Sequence, residues 1–190
     1  MEAKKGFLKD RKISASQLST WVKNKKEYIK QYIDGEPFIG NIYTEFGTKI
    51  HKLIETEDSC VEKIPKLKYK EKYFEKQWNN IILNGYIDSY EIGEIYDYKV
   101  AKTGKWSKND VQKNIQLKFY GLWHFLEHGT LPLVSIIHIE SDIKGNKLCL
   151  TGKATQYFFQ IKKEDIEYII NLINSFVEWC EEYKNGKTNN

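Results

Sequence analysis

The sequence predicts an α/β domain in which helices flank a central mixed β-sheet. Two periodicities support this: apolar residues recur every three or four positions in some segments and every second position in others, which are the spacings of helices and strands. The segments run in the order helix, helix, three strands, helix, two strands, helix. Because 190 residues suit one core and no repeat or linker interrupts them, we expect a single domain over residues 1–190.

Capping signals mark the ends of the predicted helices. Ser14 followed by Gln17 resembles a capping box, and Gly35 suits the end of that first helix. Ser107 with Asp110 gives the same signal for a later helix. The predicted helices therefore cover residues 14–35, 43–57, 107–128 and 163–183.

Alternation of residue types predicts five strands. In the first, which begins at Leu67, lysines alternate with Tyr69 and Tyr73, so we expect a basic outer face and an aromatic inner face. The same parity assigns Glu71 and Glu75 to the inner face. The other predicted strands, of which the first two form a hairpin, cover residues 81–90, 94–100, 133–140 and 148–161.

Two short strings in the predicted hairpin bring two acids and a lysine close together. They are Gly85-Tyr86-Ile87-Asp88 and Asp97-Tyr98-Lys99. Alternation puts Asp97 and Lys99 on one face of their strand. If Asp88 lies near the end of the neighbouring strand, two carboxylates can hold a divalent cation while the ammonium faces a phosphate. Oxygen ligands of this kind suit Mg²⁺ or Mn²⁺.

The order of motifs resembles the RecB-type branch of the PD-(D/E)XK nuclease superfamily, in the form of a phage-like standalone exonuclease domain. Each motif alone is weak, whereas five in order over residues 13–120 are fairly specific. Besides the two strings above, the matching motifs are Ser14-Ala15-Ser16-Gln17-Leu18-Ser19-Thr20-Trp21, Gly47-Thr48-Lys49-Ile50-His51 and Gln116-Leu117-Lys118-Phe119-Tyr120. The resemblance implies a restriction-endonuclease-like α/β core.

The resemblance also implies roles for the acids and the lysine. Asp88 and Asp97 would ligate the metal, and the backbone carbonyl of Tyr98 would complete that edge of the site. His51 would be the further metal ligand that is typical of this branch. Lys99 would contact the scissile phosphate or the attacking water.

Other residues extend the implied site. Gln116 and Tyr120 lie one helical turn apart, so both can face the same wall of the site as catalytic residues. Glu75 is a secondary candidate for the metal site and competes with His51 for the remaining position, while Glu71 is a weaker alternative. Taken singly, the main candidates also have structural interpretations. Asp88 could cap a turn, Asp97 and Lys99 could form a solvated cross-strand pair, and His51 could be a structural histidine.

A basic segment follows the proposed site. It is interpreted as a groove that tracks a DNA backbone, with an aromatic ring available to stack on a base, although a lysine run is usually a solvated loop. Its residues are Lys102, Lys105, Trp106, Lys108 and Lys113. Because Arg11 is the sole arginine and the net charge is only +4, phosphate contacts would come from lysines, and DNA binding would be largely independent of sequence.

The resemblance implies a Mg²⁺- or Mn²⁺-dependent deoxyribonuclease, an exonuclease of recombination or repair that binds DNA and a recombination partner protein. Two alternatives stay open: a structure-specific endonuclease, and an inactive module of the same fold that binds DNA or docks a partner. The three widely separated cysteines do not match the spacing of an iron–sulfur cluster, so none is expected. With neither a secretory signal nor a membrane span evident, we expect a cytoplasmic protein, in the bacterial host cytosol if a phage encodes it.

Overall fold

The computed structural model describes residues 6–186, in which six strands form one mixed sheet. Strands β3, β4, β5 and β6 are neighbours in that order, β2 pairs with one edge of β3, and the short β1 pairs with the other edge. The β1–β3 and β4–β5 pairs are parallel, and the remaining pairs are antiparallel. The strands are β1 Lys12–Ile13, β2 Tyr69–Trp78, β3 Ile81–Glu91, β4 Glu94–Lys102, β5 Leu133–Lys144 and β6 Lys147–Gln160.

Helices cover the sheet, which confirms the predicted fold class. They are α1 Phe7–Asp10, α2 Ala15–Lys23, α3 Lys25–Tyr28 with a π-helical turn Ile29–Ile33, α4 Ile42–Glu55, α5 Lys108–Gln112, α6 Ile115–His128 and α7 Lys163–Lys184. None of the helices within residues 6–186 has both the length and the apolar composition that a membrane crossing needs.

Two apolar layers lie on opposite faces of the sheet. The larger layer joins the sheet to α2, α6 and α7 and includes Leu83, Ile87 and Leu117. The smaller joins it to α4 and includes Ile54 and Tyr98. We call these faces the α6 side and the α4 side.

Two predicted helices are divided in the structure. The segment predicted over residues 14–35 consists of α2, α3 and the π-helical turn, with Asn24 as C-cap of α2 and N-cap of α3. The segment predicted over 107–128 breaks after α5, because the Asn114 side chain accepts the Leu117 N–H and begins α6. Local side-chain caps therefore override a continuous apolar period.

The predicted inner face of β2 is wrong. Phe74 is the buried aromatic residue of this strand, and the Lys76 ammonium reaches Glu127 of α6, so Phe74 and Lys76 face the α6 side. Tyr73 and Glu75 lie exposed on the α4 side. Aromatic character did not reveal which residues are buried, and the alternation is interrupted near Glu71, whose φ is 48°.

Candidate active site

Strands β3 and β4 separate beyond their turn, and this opening creates the candidate site. Their backbone pairing runs from Glu91 and Glu94 to Ser89 and Tyr96 and then stops. The next residues of β4 would leave polar backbone groups on this edge without partners, which is costly unless side chains supply them. Asp88 and His51 supply the missing hydrogen-bond partners.

The backbone of Tyr98 is held from both sides. Its N–H donates to Asp88 Oδ2 at 2.6 Å, and its carbonyl lies 3.0 Å from His51 Nε2. Because a carbonyl only accepts hydrogen bonds, Nε2 carries the proton in this contact. The other ring nitrogen of His51, Nδ1, lies 3.6 Å from Asp88 Oδ1.

Three acceptor groups converge on the α4 side of this opening. One ligand atom each from His51, Glu71 and Asp88 lies within 4.8 Å of the others. Glu71 is brought there by the β2–β3 register, which aligns it with Asp88 between the Lys70–Ser89 and Lys72–Ile87 pairs. Two carboxylates and an imidazole this close repel one another unless a cation or a proton lies among them, so the donor set fits a divalent metal ion.

The charges of this cluster shift the pKa values of its members. Burial would lower the pKa of His51, but the hydrogen bond and charge of Asp88, with a smaller contribution from Asp97, raise it above its ordinary value. Burial and the charge of Asp88 raise the pKa of Glu71. The charge of Asp88 contributes to both shifts, and a bound cation would offset it.

Asp97 and Lys99 lie on the α6 side of β4, as strand alternation predicts. Asp97 is 1% exposed, and Lys99 Nζ lies 2.7 Å from its Oδ2. Neither carboxylate oxygen has a hydrogen-bond partner of good geometry among the described residues. Burial raises the pKa of Asp97 to about 6; Lys99 opposes the shift and Asp88 adds to it. A buried, poorly satisfied carboxylate is a second feature that suits a cation.

A chain of hydrogen bonds extends from Lys99 across the α6 side. Lys99 Nζ donates to Gln116 Oε1 at 3.1 Å, Gln116 Nε2 donates to the Tyr120 hydroxyl at 2.7 Å, and that hydroxyl donates to the Tyr86 carbonyl at 2.7 Å. Asn114, two residues before Gln116, is the N-cap of the helix that carries both Gln116 and Tyr120. The chain fixes the ammonium and ties α6 to β3.

Gly85 is required by the packing beneath this chain. A Cβ at this position would lie 3.1 Å from the Phe74 ring and 3.7 Å from Tyr120. Any larger residue would therefore displace Phe74 or Tyr120. Gly47 on α4 differs, since a Cβ there would meet nothing within 4 Å. It lies in the wall of the cleft that holds His51, Glu71, Asp88 and Lys99.

Three solved structures are similar to the chain over most of its length. An exonuclease candidate from Eubacterium rectale has a TM-score of 0.58 at 11% identity and covers 94% of this chain and 83% of its own. The alkaline exonuclease LHK-Exo of Laribacter hongkongensis has a TM-score of 0.56 at 12% identity, with 93% and 92% covered. A phage-related exonuclease from Haemophilus somnus 129PT has a TM-score of 0.55 at 16% identity, with 92% and 82% covered.

The chain shares the fold of these three structures. At these identities the likeness establishes the fold alone, and it agrees with the resemblance to the PD-(D/E)XK superfamily seen in the sequence. No protein-family model matches the sequence, and no curated protein matches it significantly.

Within this fold, Glu75 lies away from the candidate site, contrary to the prediction from the sequence. Glu75 accepts hydrogen bonds from Lys12 Nζ and the Tyr73 hydroxyl at the surface. It aligns with Asn84 in the β2–β3 register, four residues from Asp88 and therefore about 13 Å along the strand. Glu71, rated the weaker candidate, occupies the cluster instead. Its alignment with Asp88 is a register property that no local pattern in the sequence reveals.

Two residues of the predicted basic segment, Trp106 and Lys113, line a groove beside the site. Lys102, Lys105, Lys108 and Lys113 are exposed. Trp106 packs partly against the larger apolar layer, so its ring is a wall of the groove and not a free stacking surface. The groove is bounded by α2 on its other side and includes Thr20, Lys23, Lys99, Trp106, Lys113 and Gln116.

Proposed function

We propose that this chain is a divalent-metal-dependent nuclease that hydrolyses DNA phosphodiester bonds as an exonuclease. The observation that carries the proposal is the convergence of His51, Glu71 and Asp88, beside a buried Asp97 and a fixed Lys99, in a chain with an exonuclease fold. Acceptors without donors and an immobilised ammonium are together the chemistry that phosphoryl transfer needs.

The protein side chains have distinct parts in this proposal. His51, Asp88 and Asp97 would hold the metal ion, Mg²⁺ or Mn²⁺, with Glu71 as a further ligand and the Tyr98 carbonyl at the same edge. A bound ion of this kind supplies Lewis acidity and a water of lowered pKa. Lys99 contacts the phosphate undergoing attack and stabilises its developing negative charge.

The remaining site residues act on Lys99. Asp97 and the charge of Asp88 raise the pKa of Lys99 although its burial would lower it, so the amine stays protonated at neutral pH. Gln116 and Tyr120 orient the ammonium through the hydrogen-bond chain. We therefore assign Gln116 and Tyr120 as positioning residues.

DNA is the substrate that the groove and the structural neighbours support best. Lys23 and Lys113 line a groove that also contains Lys99, so a phosphate backbone could be followed to the ammonium. LHK-Exo has been solved in complex with dAMP, and that complex has a TM-score of 0.52 to this chain. A deoxynucleoside monophosphate is the class of product that an exonuclease releases. We propose a role in recombination or repair on the same grounds.

The test compares linear and circular DNA, each with Mg²⁺, with Mn²⁺ and with EDTA. We expect metal-dependent loss of linear duplexes from their ends, no loss in EDTA, and no activity in Asp97→Asn. Cleavage of the circle would indicate an endonuclease. Binding without cleavage of either substrate would contradict the proposal and favour the inactive DNA-binding module.

A further inference from the structure

Two exposed tyrosine rings lie on the sheet beside the candidate metal cluster. Tyr73 and Tyr86 are paired in the β2–β3 register, and their ring centroids are 5.0 Å apart. Their exposed fractions are 43% and 59%. Two exposed rings that contact each other on an open sheet face call for an explanation other than core packing.

Both rings are on the α4 side, the same side as the cluster. Leu83 and Ile87 of β3 pack into the α6-side layer, and a Cβ at Gly85 would point to Phe74 and Tyr120 of that layer. Alternation then directs Tyr86 to the opposite face, and Asp88 reaches that face by contact with His51 of α4. Contact with Tyr86 places Tyr73 there as well.

The spacing between the rings and the cluster is set by the strand. Tyr86 lies two residues before Asp88, which is about 6.7 Å along β3. One extended nucleotide can span this length. A phosphate at the cluster therefore has its neighbouring base within reach of the two rings.

The tyrosine pair is also connected to the chain of hydrogen bonds that holds Lys99. The carbonyl of Tyr86 accepts the Tyr120 hydroxyl, which is bonded to Gln116 and through it to Lys99. Beyond the rings, Lys12 Nζ lies 2.7 Å from Glu75 Oε2 at the surface. The carboxylate nearest to Tyr73 is therefore neutralised by Lys12 and would not repel a phosphate backbone.

We infer that Tyr73 and Tyr86 form a stacking platform for an unpaired base of the DNA strand that enters the site. The occupant is a nucleobase, because exposed aromatic rings beside a phosphate-binding centre are the arrangement that proteins use to bind single-stranded nucleic acid without sequence preference. The two ring planes are inclined by 48°, so a base would stack on one ring and contact the edge of the other. The inference rests on the proposed function and narrows it: the strand to be cleaved is separated from its complement at the site.

The experiment measures binding of a single-stranded oligonucleotide that contains one 2-aminopurine, in EDTA so that no cleavage occurs. Anisotropy gives the dissociation constant, and quenching of 2-aminopurine reports stacking. Base stacking on one ring corresponds to about 5- to 150-fold in affinity. We expect weakening in this range and loss of quenching for Tyr86→Leu and Tyr73→Leu, with both properties retained in Tyr86→Phe.

Tyr69→Leu is the matched control. Tyr69 is on the same strand and is 44% exposed, but it stacks on Tyr90 of the larger apolar layer. We expect binding by this variant to equal that of the wild type. Unchanged binding and quenching in the Tyr86→Leu and Tyr73→Leu variants, with native circular dichroism, would overturn the platform.

Cleavage of linear DNA is measured separately with Mg²⁺. Wild-type cleavage with tyrosine-independent binding would leave the proposed nuclease intact and reject the platform. Tyrosine-dependent binding without cleavage by the wild type would reject the nuclease and support the platform. The two hypotheses therefore fail on different measurements.

Discussion

The α4 side and the α6 side of the sheet carry two parts of the candidate site. The polar side chains of the two parts differ in how completely they are hydrogen-bonded to one another. On the α4 side, His51, Glu71 and Asp88 converge as acceptors, with one ligand atom of each within 4.8 Å of the others. On the α6 side, Lys99, Gln116 and Tyr120 form a continuous chain in which each donor has an acceptor. Asp97 joins the two, because it is buried beside Lys99 and feels the charge of Asp88.

This difference separates metal binding from positioning. Side chains on the α4 side converge on one point as metal ligands do, so changing them should alter metal affinity. Side chains on the α6 side are already bonded to one another, so changing them should alter the position of the ammonium and the stability of the fold while metal affinity is retained. The following substitutions test this separation, beginning with the largest effect.

The substitution Asp88→Asn should cost the most activity. The amide oxygen can still accept the Tyr98 N–H, so the strands should stay in place, but the negative charge that faces His51 is lost. We expect metal-dependent cleavage to fall by about 10³-fold, which corresponds to several kcal/mol of charge stabilisation. Steady-state cleavage assays and metal titration by calorimetry measure the two effects, and wild-type activity in this variant would contradict the assigned metal site.

The substitution Lys99→Gln should lower the rate without weakening metal binding. The ammonium is the only protein cation within contact of Asp97 among the residues the structure describes, and its removal leaves the metal ligands in place. We expect kcat to fall by about 10²–10³-fold, as when an oxyanion-stabilising donor is removed. If metal affinity dropped as much as in Asp88→Asn, the two sides would not be separable.

Glu71→Gln and Glu75→Gln form a matched pair on one strand. Glu71 belongs to the cluster, whereas Glu75 is bonded at the surface to Lys12 and Tyr73. We expect Glu71→Gln to weaken metal binding by at least about tenfold, the scale seen for lost partners near a metal, and Glu75→Gln to leave it unchanged. The reverse result would restore Glu75 to the site.

Gln116→Leu should have a smaller effect on rate and a measurable effect on stability. It leaves Lys99 without its amide acceptor and the Tyr120 hydroxyl without the Gln116 donor. We expect the free energy of unfolding to fall by about 1–3 kcal/mol, with a kcat loss smaller than that of Lys99→Gln. Urea denaturation and metal titration distinguish this outcome from a metal-site defect, since calorimetric affinity should match that of the wild type.

Gly47→Ala should produce the smallest change. A Cβ there meets no atom, so the helix should gain about 0.5–1 kcal/mol from alanine. The added methyl lies in the wall of the cleft, so cleavage should decline modestly if DNA approaches α4 closely. Thermal denaturation and initial rates measure the two effects; increased stability with unchanged rates would show that the substrate does not reach this turn.

Much of the fold was available from local patterns. The β3–β4 hairpin, the C-terminal helix and the last two strands were predicted within a few residues of their bounds, because period and capping are local properties. The breaks at Asn24 and Asn114 were missed because each depends on a side-chain cap in place of a change in apolar period.

The sequence by itself determined that Asp97 and Lys99 share a face of one strand, that Gln116 and Tyr120 share a face of one helix, and that Asp88 precedes them on a neighbouring strand. Only the tertiary structure decided that Glu71, and not Glu75, meets His51 and Asp88, and that Phe74 faces inward while Tyr73 stays exposed. Those facts depend on strand register and on which sheet face each helix covers. Both are set by long-range packing, which spacing along the chain does not encode.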